Sequence, residues 1–292
     1  MPRRQDVLLL LIPAILGAGC LGFRNRTPAR SDPPATPEFR ATAQNGQPMA
    51  ITPPPMPKLD GGSQSDESPL HRLAARAAER ERTLNAYYVR IKRHETINGK
   101  DEPEEIILFK FRRAPLSIHC KWLGKEANGR EIVYVKGQHD DKIQVLTGHG
   151  DMLGAGRKMS FSPDSALVRS NLRHPLTEAS LGAVAVRFTN LIDAVEHGQH
   201  NMGSARYLGE QNRPEFPGPV EAVEQTVPPG LEPSLMKGGI RFYYFDPVLN
   251  MPTLVVTFDH NRHQVEYYCF DRLQGPVNLD DADFDPALLW RR

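Results

Sequence analysis

Ala86-Tyr87-Tyr88-Val89-Arg90-Ile91-Lys92-Arg93-His94-Glu95-Thr96-Ile97, followed at once by Asn98-Gly99-Lys100-Asp101, decides how this chain folds. Tyr87, Val89 and Ile91 alternate with Tyr88, Arg90 and Lys92, the period of two that marks a strand with one apolar face. Asn-Gly is the strongest short hairpin signal. Further strand-like runs follow at 104–113, 116–123, 131–136 and 142–146. Between them stand Arg113-Ala114-Pro115, Asn128-Gly129, and Gly137 with His139-Asp140-Asp141. Connections this short predict an antiparallel meander, because parallel neighbours need a crossover of about a dozen residues. Residues 104–111 alternate less cleanly, which predicts a strand covered on both faces.

The period changes on either side of this meander. Ser68 and Pro69 have the form of an N-cap and first helical residue, and Leu70, Leu73, Ala74, Ala77 and Leu84 recur at helical spacing. That stripe is narrow and predicts a helix lying against a surface. Residues 148–163 read as a glycine-rich irregular stretch. Then Leu181, Val184, Ala185, Phe188, Leu191, Ile192 and Val195 form a broad apolar helical face. Thr177 is the expected N-cap, and Gly198 ends the helix. Strands resume at 205–208, 220–226, 240–245, 253–258 and 264–271. The expected class is α+β: one large curved antiparallel sheet, a half-barrel, with two amphipathic helices packed in its concave face.

Outward from the folded part the chemistry changes. Arg3 and Arg4 precede an apolar run, 7–16, too short to span a bilayer and of the length of a secretory leader. Gly17-Ala18-Gly19-Cys20 then resembles a bacterial lipobox, although Gly17 stands where Leu is usual. Cys20 is therefore the expected lipidation site, with 1–20 the lipoprotein signal peptide. An ordinary cleavage site before a cysteine is the alternative. Residues 21–67 hold a large share of the 26 prolines of this 292-residue chain and read as a disordered, proline-rich tether. That leaves 68–292 as a single domain. The charge is balanced, 36 basic against 35 acidic residues, which argues against non-specific nucleic-acid binding. Of three cysteines, Cys120 and Cys269 remain; an oxidising compartment permits a bridge between them, and two buried thiols are the other reading.

Several motifs resemble a known family. They are 108–115 (Leu-Phe-Lys-Phe-Arg-Arg-Ala-Pro), Lys121-Trp122-Leu123, 129–135 (Gly-Arg-Glu-Ile-Val-Tyr-Val), Arg173-His174-Pro175-Leu176-Thr177-Glu178 and Asp281-Ala282-Asp283-Phe284-Asp285-Pro286. Together they resemble the secreted bacterial proteins of domain of unknown function 1571, over residues 70–286. That family resembles the LolA and LppX lipoproteins. The resemblance implies a LolA-like half-barrel whose helices plug an apolar cavity, and a role in binding a lipid, an acyl chain or a lipoprotein.

The expected cavity lining is Phe109, Trp122, Leu181, Val184, Phe188, Leu191, Phe242, Tyr244 and Tyr267. Alternation puts Phe242 and Tyr244 on one face and Tyr243 and Phe245 on the other. Arg173, His174 and Glu178 precede the second helix and read either as polar contacts at a cavity mouth or as a charge-paired helix entry. No metal or cofactor is expected: His139, Asp140, Asp141, His149 and Asp151 read as turn residues. Asp281, Asp283 and Asp285 open like a calcium loop, but Pro286 stands where that loop needs glycine. Signatures of nucleophilic or phosphate chemistry are lacking, so no enzyme is expected. The expected function is that of a lipid-anchored envelope protein facing the periplasm that carries or binds a lipid or acylated ligand. The alternative is an envelope interaction protein with a filled core.

Overall fold

The computed structural model describes residues 68–151, 153–169 and 173–291. The signal-peptide, Cys20 and tether readings lie outside the described residues. Helix α1 (Pro69–Thr83) begins behind Ser68 and leads into β1 (Ala86–Ile97), β2 (Lys100–Asp101), β3 (Glu105–Arg112), β4 (Ser117–Trp122), β5 (Glu131–Val135), β6 (Ile143–Leu146) and β7 (Lys158–Phe161). A short helix α2 (Ala166–Arg169) and the long α3 (Leu181–Glu196) follow. Then come β8 (Ser204–Gln211), β9 (Val220–Val227), β10 (Gly239–Asp246), β11 (Met251–Asp259), β12 (Gln264–Gln274) and α4 (Pro286–Leu289).

The strands form one open antiparallel sheet in the order β7-β6-β5-β4-β3-β1-β12-β11-β10-β9-β8, with β2 paired to β1. Among the described residues, strand pairing joins the two meanders only between β1 and β12. Register shifts at Tyr88/Arg90, Tyr207/Gly209, Tyr244/Phe245 and Thr257/Phe258 mark bulges, which bend strands and increase their twist. The expected α+β class, a curved antiparallel sheet with helices on its concave face, is the class observed.

The main core lies between that face and α1 and α3. Tyr87, Val89, Phe109, Ile118, Tyr243 and Val255 meet Leu73, Leu181, Phe188 and Leu191, all essentially sealed from solvent. Phe188 stands edge-on to Tyr243 and Phe245, with ring centroids 5.2 and 4.8 Å away. The Tyr87 hydroxyl accepts from the Leu181 N–H at 3.0 Å, fixing where α3 starts. The N-cap of α3 is Ser180, whose Oγ accepts from Ala183 N at 3.0 Å. Thr177 instead belongs to a 3-10 turn, Leu176–Glu178. A further strand, β7, occupies part of the stretch read as irregular.

The convex face is covered too. Val133, Val135 and Ala86 pack under Leu279, Phe284 and Trp290 of the C-terminal segment. Leu254, Val256 and Tyr244 pack under Phe216 of the β8–β9 connection. Asp281 and Asp283 tie that C-terminal segment to the sheet through Arg112 (2.8 Å) and Lys110 (3.1 Å). Asp280 and Asp285 cap its short turns. Among the described residues no group of His, Cys, Asp and Glu is placed to hold a metal ion.

Candidate functional site

Helix α3 is narrower than the sheet it covers. Beyond it, over β4 to β7, lies a pocket of about 450 Å³. Alternation supplies the apolar half: Ile132 of β5, Ile143 and Val145 of β6, and Met159 and Phe161 of β7, with Leu176 closing over them. The opposite wall is polar and comes from the ends of β1 and β3, Trp122, and the turns beside them. A volume of this size lies within the range of small-molecule sites, about 300–1,000 Å³.

The polar wall is a chain of paired charges. Arg93 Nε donates to Glu105 Oε2 at 2.8 Å, and Trp122 Nε1 to Glu105 Oε1 at 2.7 Å. Arg130 lies over the Trp122 ring, 5.3 Å from its centroid, and its Nε donates to Asp151 Oδ2 at 3.1 Å. Asp151 also accepts from Gly148 N at 2.7 Å, closing the 148–151 turn, and the His149 N–H donates to the Asn128 carbonyl at 2.9 Å, holding that turn against the 127–130 turn. Only glycine fits at 148, because a Cβ there would lie 2.4 Å from the Ala127 carbonyl oxygen. Burial pushes the Glu105 carboxyl up, but Arg93, Trp122 and Arg130 outweigh it and hold the group below its ordinary value. At Glu95 burial wins over Arg93 and the carboxyl is raised; the Tyr268 hydroxyl donates to it.

A second charged cluster continues along the same strand ends. Glu266 accepts from Thr257, from Arg241 at 3.2 Å, and pairs with His174. Arg241 holds Glu232 with two bonds, 2.7 and 2.9 Å. Burial opposes the Glu266 charge, yet Arg241, His174 and Arg173 keep its carboxyl well below the ordinary range.

These positions revise the expected lining. Between α3 and the sheet lies a void of about 50 Å³, bordered by Phe109, Trp122 and Val184. Leu181, Phe188 and Leu191 are packed core. Phe242, Tyr244 and Tyr267 lie on the convex face, in the cluster under Phe216. Tyr243 and Phe245 take the helix-facing role instead, because the convex side of β9 to β12 is roofed and needs apolar residues as well. Of the nine residues, Trp122 alone lines the large pocket.

Arg173 and His174 point to Glu232 and Glu266, Arg173 at 3.9 Å from each. Glu178 lies 3.9 Å from Arg187. His174 and Glu178 border the small void. The bridge between Cys120 and Cys269 does not form: both are free and buried. Cys120 belongs to the helix-facing core and Cys269 to the convex cluster. They sit on β4 and β12, with β3 and β1 between. Three interstrand spacings amount to roughly 14 Å, twice the reach of a disulfide.

Sequence reasoning passed over Arg93, Glu95, Glu105, Arg130 and the apolar residues of β5 to β7. A signal was there. Arg93 and Glu95 continue the inward phase of Tyr87, Val89 and Ile91, and Glu105 that of Ile107 and Phe109. A charge on the apolar phase is either paired in the core or faces a cavity.

A model of the family described as "Protein of unknown function (DUF1571)" matches residues 84–288. The chain belongs to that family. No curated protein matches it in sequence. Among solved structures, this DUF1571 chain is similar to Mycobacterium tuberculosis lipoprotein LppX, at 11% identity, covering 72% of this chain and 98% of that one, with a TM-score of 0.42. It is also similar to a putative outer membrane lipoprotein-sorting protein domain from Vibrio parahaemolyticus (10% identity, 75% and 97% covered, TM-score 0.36). A third similarity is to the Pseudomonas aeruginosa MucA/MucB complex (14% identity, TM-score 0.42), where 76% of this chain matches 62% of that one.

Proposed function

We propose that this DUF1571 chain is a lipid-anchored envelope protein that binds a lipid, an acyl chain or a lipidated protein without covalent chemistry. Cys20 carries the anchor, 21–67 is the tether, and 68–292 is the binding domain, facing the periplasm. The observation that carries this reading is the pocket of about 450 Å³ on the concave face, apolar along β5 to β7 and polar opposite. Burying methylenes there supplies affinity, at about 0.8 kcal/mol each. The pocket lies beside α3, not beneath it.

Native mass spectrometry of protein extracted gently from envelope membranes tests the proposal. The wild type is expected to carry a lipid-sized adduct, and Val145→Trp, which fills the pocket from β6, is expected to lose it while staying folded. An adduct retained in Val145→Trp, or none in either protein after incubation with envelope lipids, overturns the reading. The same spectra report the anchor: Cys20→Ser is expected to remove the acyl mass and release the protein from membranes.

The packed space under α3 favours a second reading, an envelope interaction protein without a ligand. It predicts co-purified protein in place of lipid, and insensitivity to Val145→Trp.

A further inference from the structure

The pocket's charges specify what kind of ligand it takes. Among its described lining residues stand six carboxylates, Glu95, Asp101, Glu102, Glu105, Glu126 and Asp151, against three cations, Arg93, Lys100 and Arg130. Each cation is already engaged. Arg93 is held by Glu105 and lies 3.7 Å from Glu95. Arg130 is held by Asp151 and lies 3.7 Å from Glu105. Lys100 pairs with Glu102 at 2.9 Å. A lipid with a phosphate, sulfate or carboxylate head would have to displace one of these carboxylates from its arginine, leaving a buried charge unpaired. It would also meet the surplus acidic charge of the 98–105 turn, where Asp101, Glu102, Glu104 and Glu105 outnumber Lys100.

The charges are unevenly placed. They occupy the ends of β1 and β3 and the adjoining turns, while β5 to β7 contribute Ile132, Ile143, Val145, Met159 and Phe161. The pocket is therefore amphipathic along its length, with room for a chain on one side and a head group on the other. We infer that the pocket selects an amphiphile whose head is neutral or cationic and discriminates against anionic heads. The inference rests on the pocket reading proposed above and adds the chemical class of its ligand. In water, one carboxylate about 6 Å from an anionic head weakens binding roughly threefold before salt screening. Leaving Glu95 aside, whose carboxyl burial raises, five carboxylates still outnumber the three cations.

A series of equal chain length tests this: tetradecyltrimethylammonium, tetradecanol and tetradecanoate, titrated calorimetrically below their micellar and solubility limits into the delipidated protein. Tetradecanoate is expected to bind at least about fivefold more weakly than the other two, the gap narrowing as salt is raised. Glu102→Gln/Glu126→Gln, two substitutions at the outer turns, is expected to narrow it at constant salt. Tetradecanoate binding as tightly as tetradecanol overturns the head-group inference and leaves the pocket reading intact. If none of the three binds, or if Val145→Trp binds all three as the wild type does, the pocket reading falls and the inference with it.

Discussion

Glu266 has no exposure to solvent and still carries its charge, because Thr257, Arg241 and His174 all point at it. Breaking one partner of such a pair leaves an uncompensated buried ion, which costs about 3–5 kcal/mol. Arg241→Met is therefore expected to lose about that much in urea unfolding. Arg241→Met combined with Glu266→Gln should recover part of the loss, and purely additive costs would show that the two are not coupled. On the convex face, burial pushes Glu131 up, but His119 (3.0 Å) and Lys121 (2.9 Å) outweigh it and lower the carboxyl to about 2. The folded value lies below the unfolded one, so this stabilisation is full above about pH 4.5 and lost as pH falls toward 2. Allowing for solvent screening its size is on the order of 1–2 kcal/mol, and Glu131→Gln is expected to flatten the acid limb of a stability–pH curve. A limb of unchanged steepness in the variant refutes it. At this scale the sequence held a signal that its reading passed over, a charge breaking an apolar phase at Arg93, Glu95 and Glu105. What it could not show was whether that charge meets a partner or a cavity, since partners come from strands far away in the chain.

Among the elements, α3 was readable from its spacing alone, and β1 to its end residues, because each obeys one period over many residues. The start of α3 was less so: Thr177 and Ser180 both satisfy the capping rule, and the contact that selects Ser180, Tyr87 to Leu181 N, joins residues remote in sequence. Strand β7 has four residues behind a run of glycines, too few to establish a period. The faces of β10 and β12 were ambiguous for a physical reason. Both sides of these strands are buried, so alternation separates two apolar sets without saying which one meets the helix. The observed packing assigns Tyr243 and Phe245 to the helix, and mutation can check it. Phe188→Ala deletes the ring lodged between them and is expected to cost about 3–5 kcal/mol. Phe242→Ala, only partly buried on the convex side, is expected to cost less than half as much. Equal losses in urea unfolding would contradict the assignment.

Over the whole molecule the concave face divides into two halves with different duties. Helices α1 and α3 fill one half with packed side chains, whereas the half over β5 to β7 sets Ile132, Val145, Met159 and Phe161 around open space. The core that carries most of the apolar burial lies outside the pocket, so folding is expected not to require a ligand. A ligand that binds only the folded state adds stability by mass action, about 2.7 kcal/mol at a hundredfold excess over Kd. For a domain of this size, each kcal/mol raises the melting temperature by about 2–4 °C. Protein that retains its envelope lipid is therefore expected to melt roughly 5–10 °C above the delipidated form, with both forms unfolding cooperatively. Val145→Trp supplies the control. Its pocket is occupied by its own indole, so it should melt at one temperature whether or not lipid was present during purification. A wild type whose melting does not respond to lipid, with a folded and equally unresponsive Val145→Trp, would place this chain with the interaction proteins and leave the open half of the sheet to a protein partner.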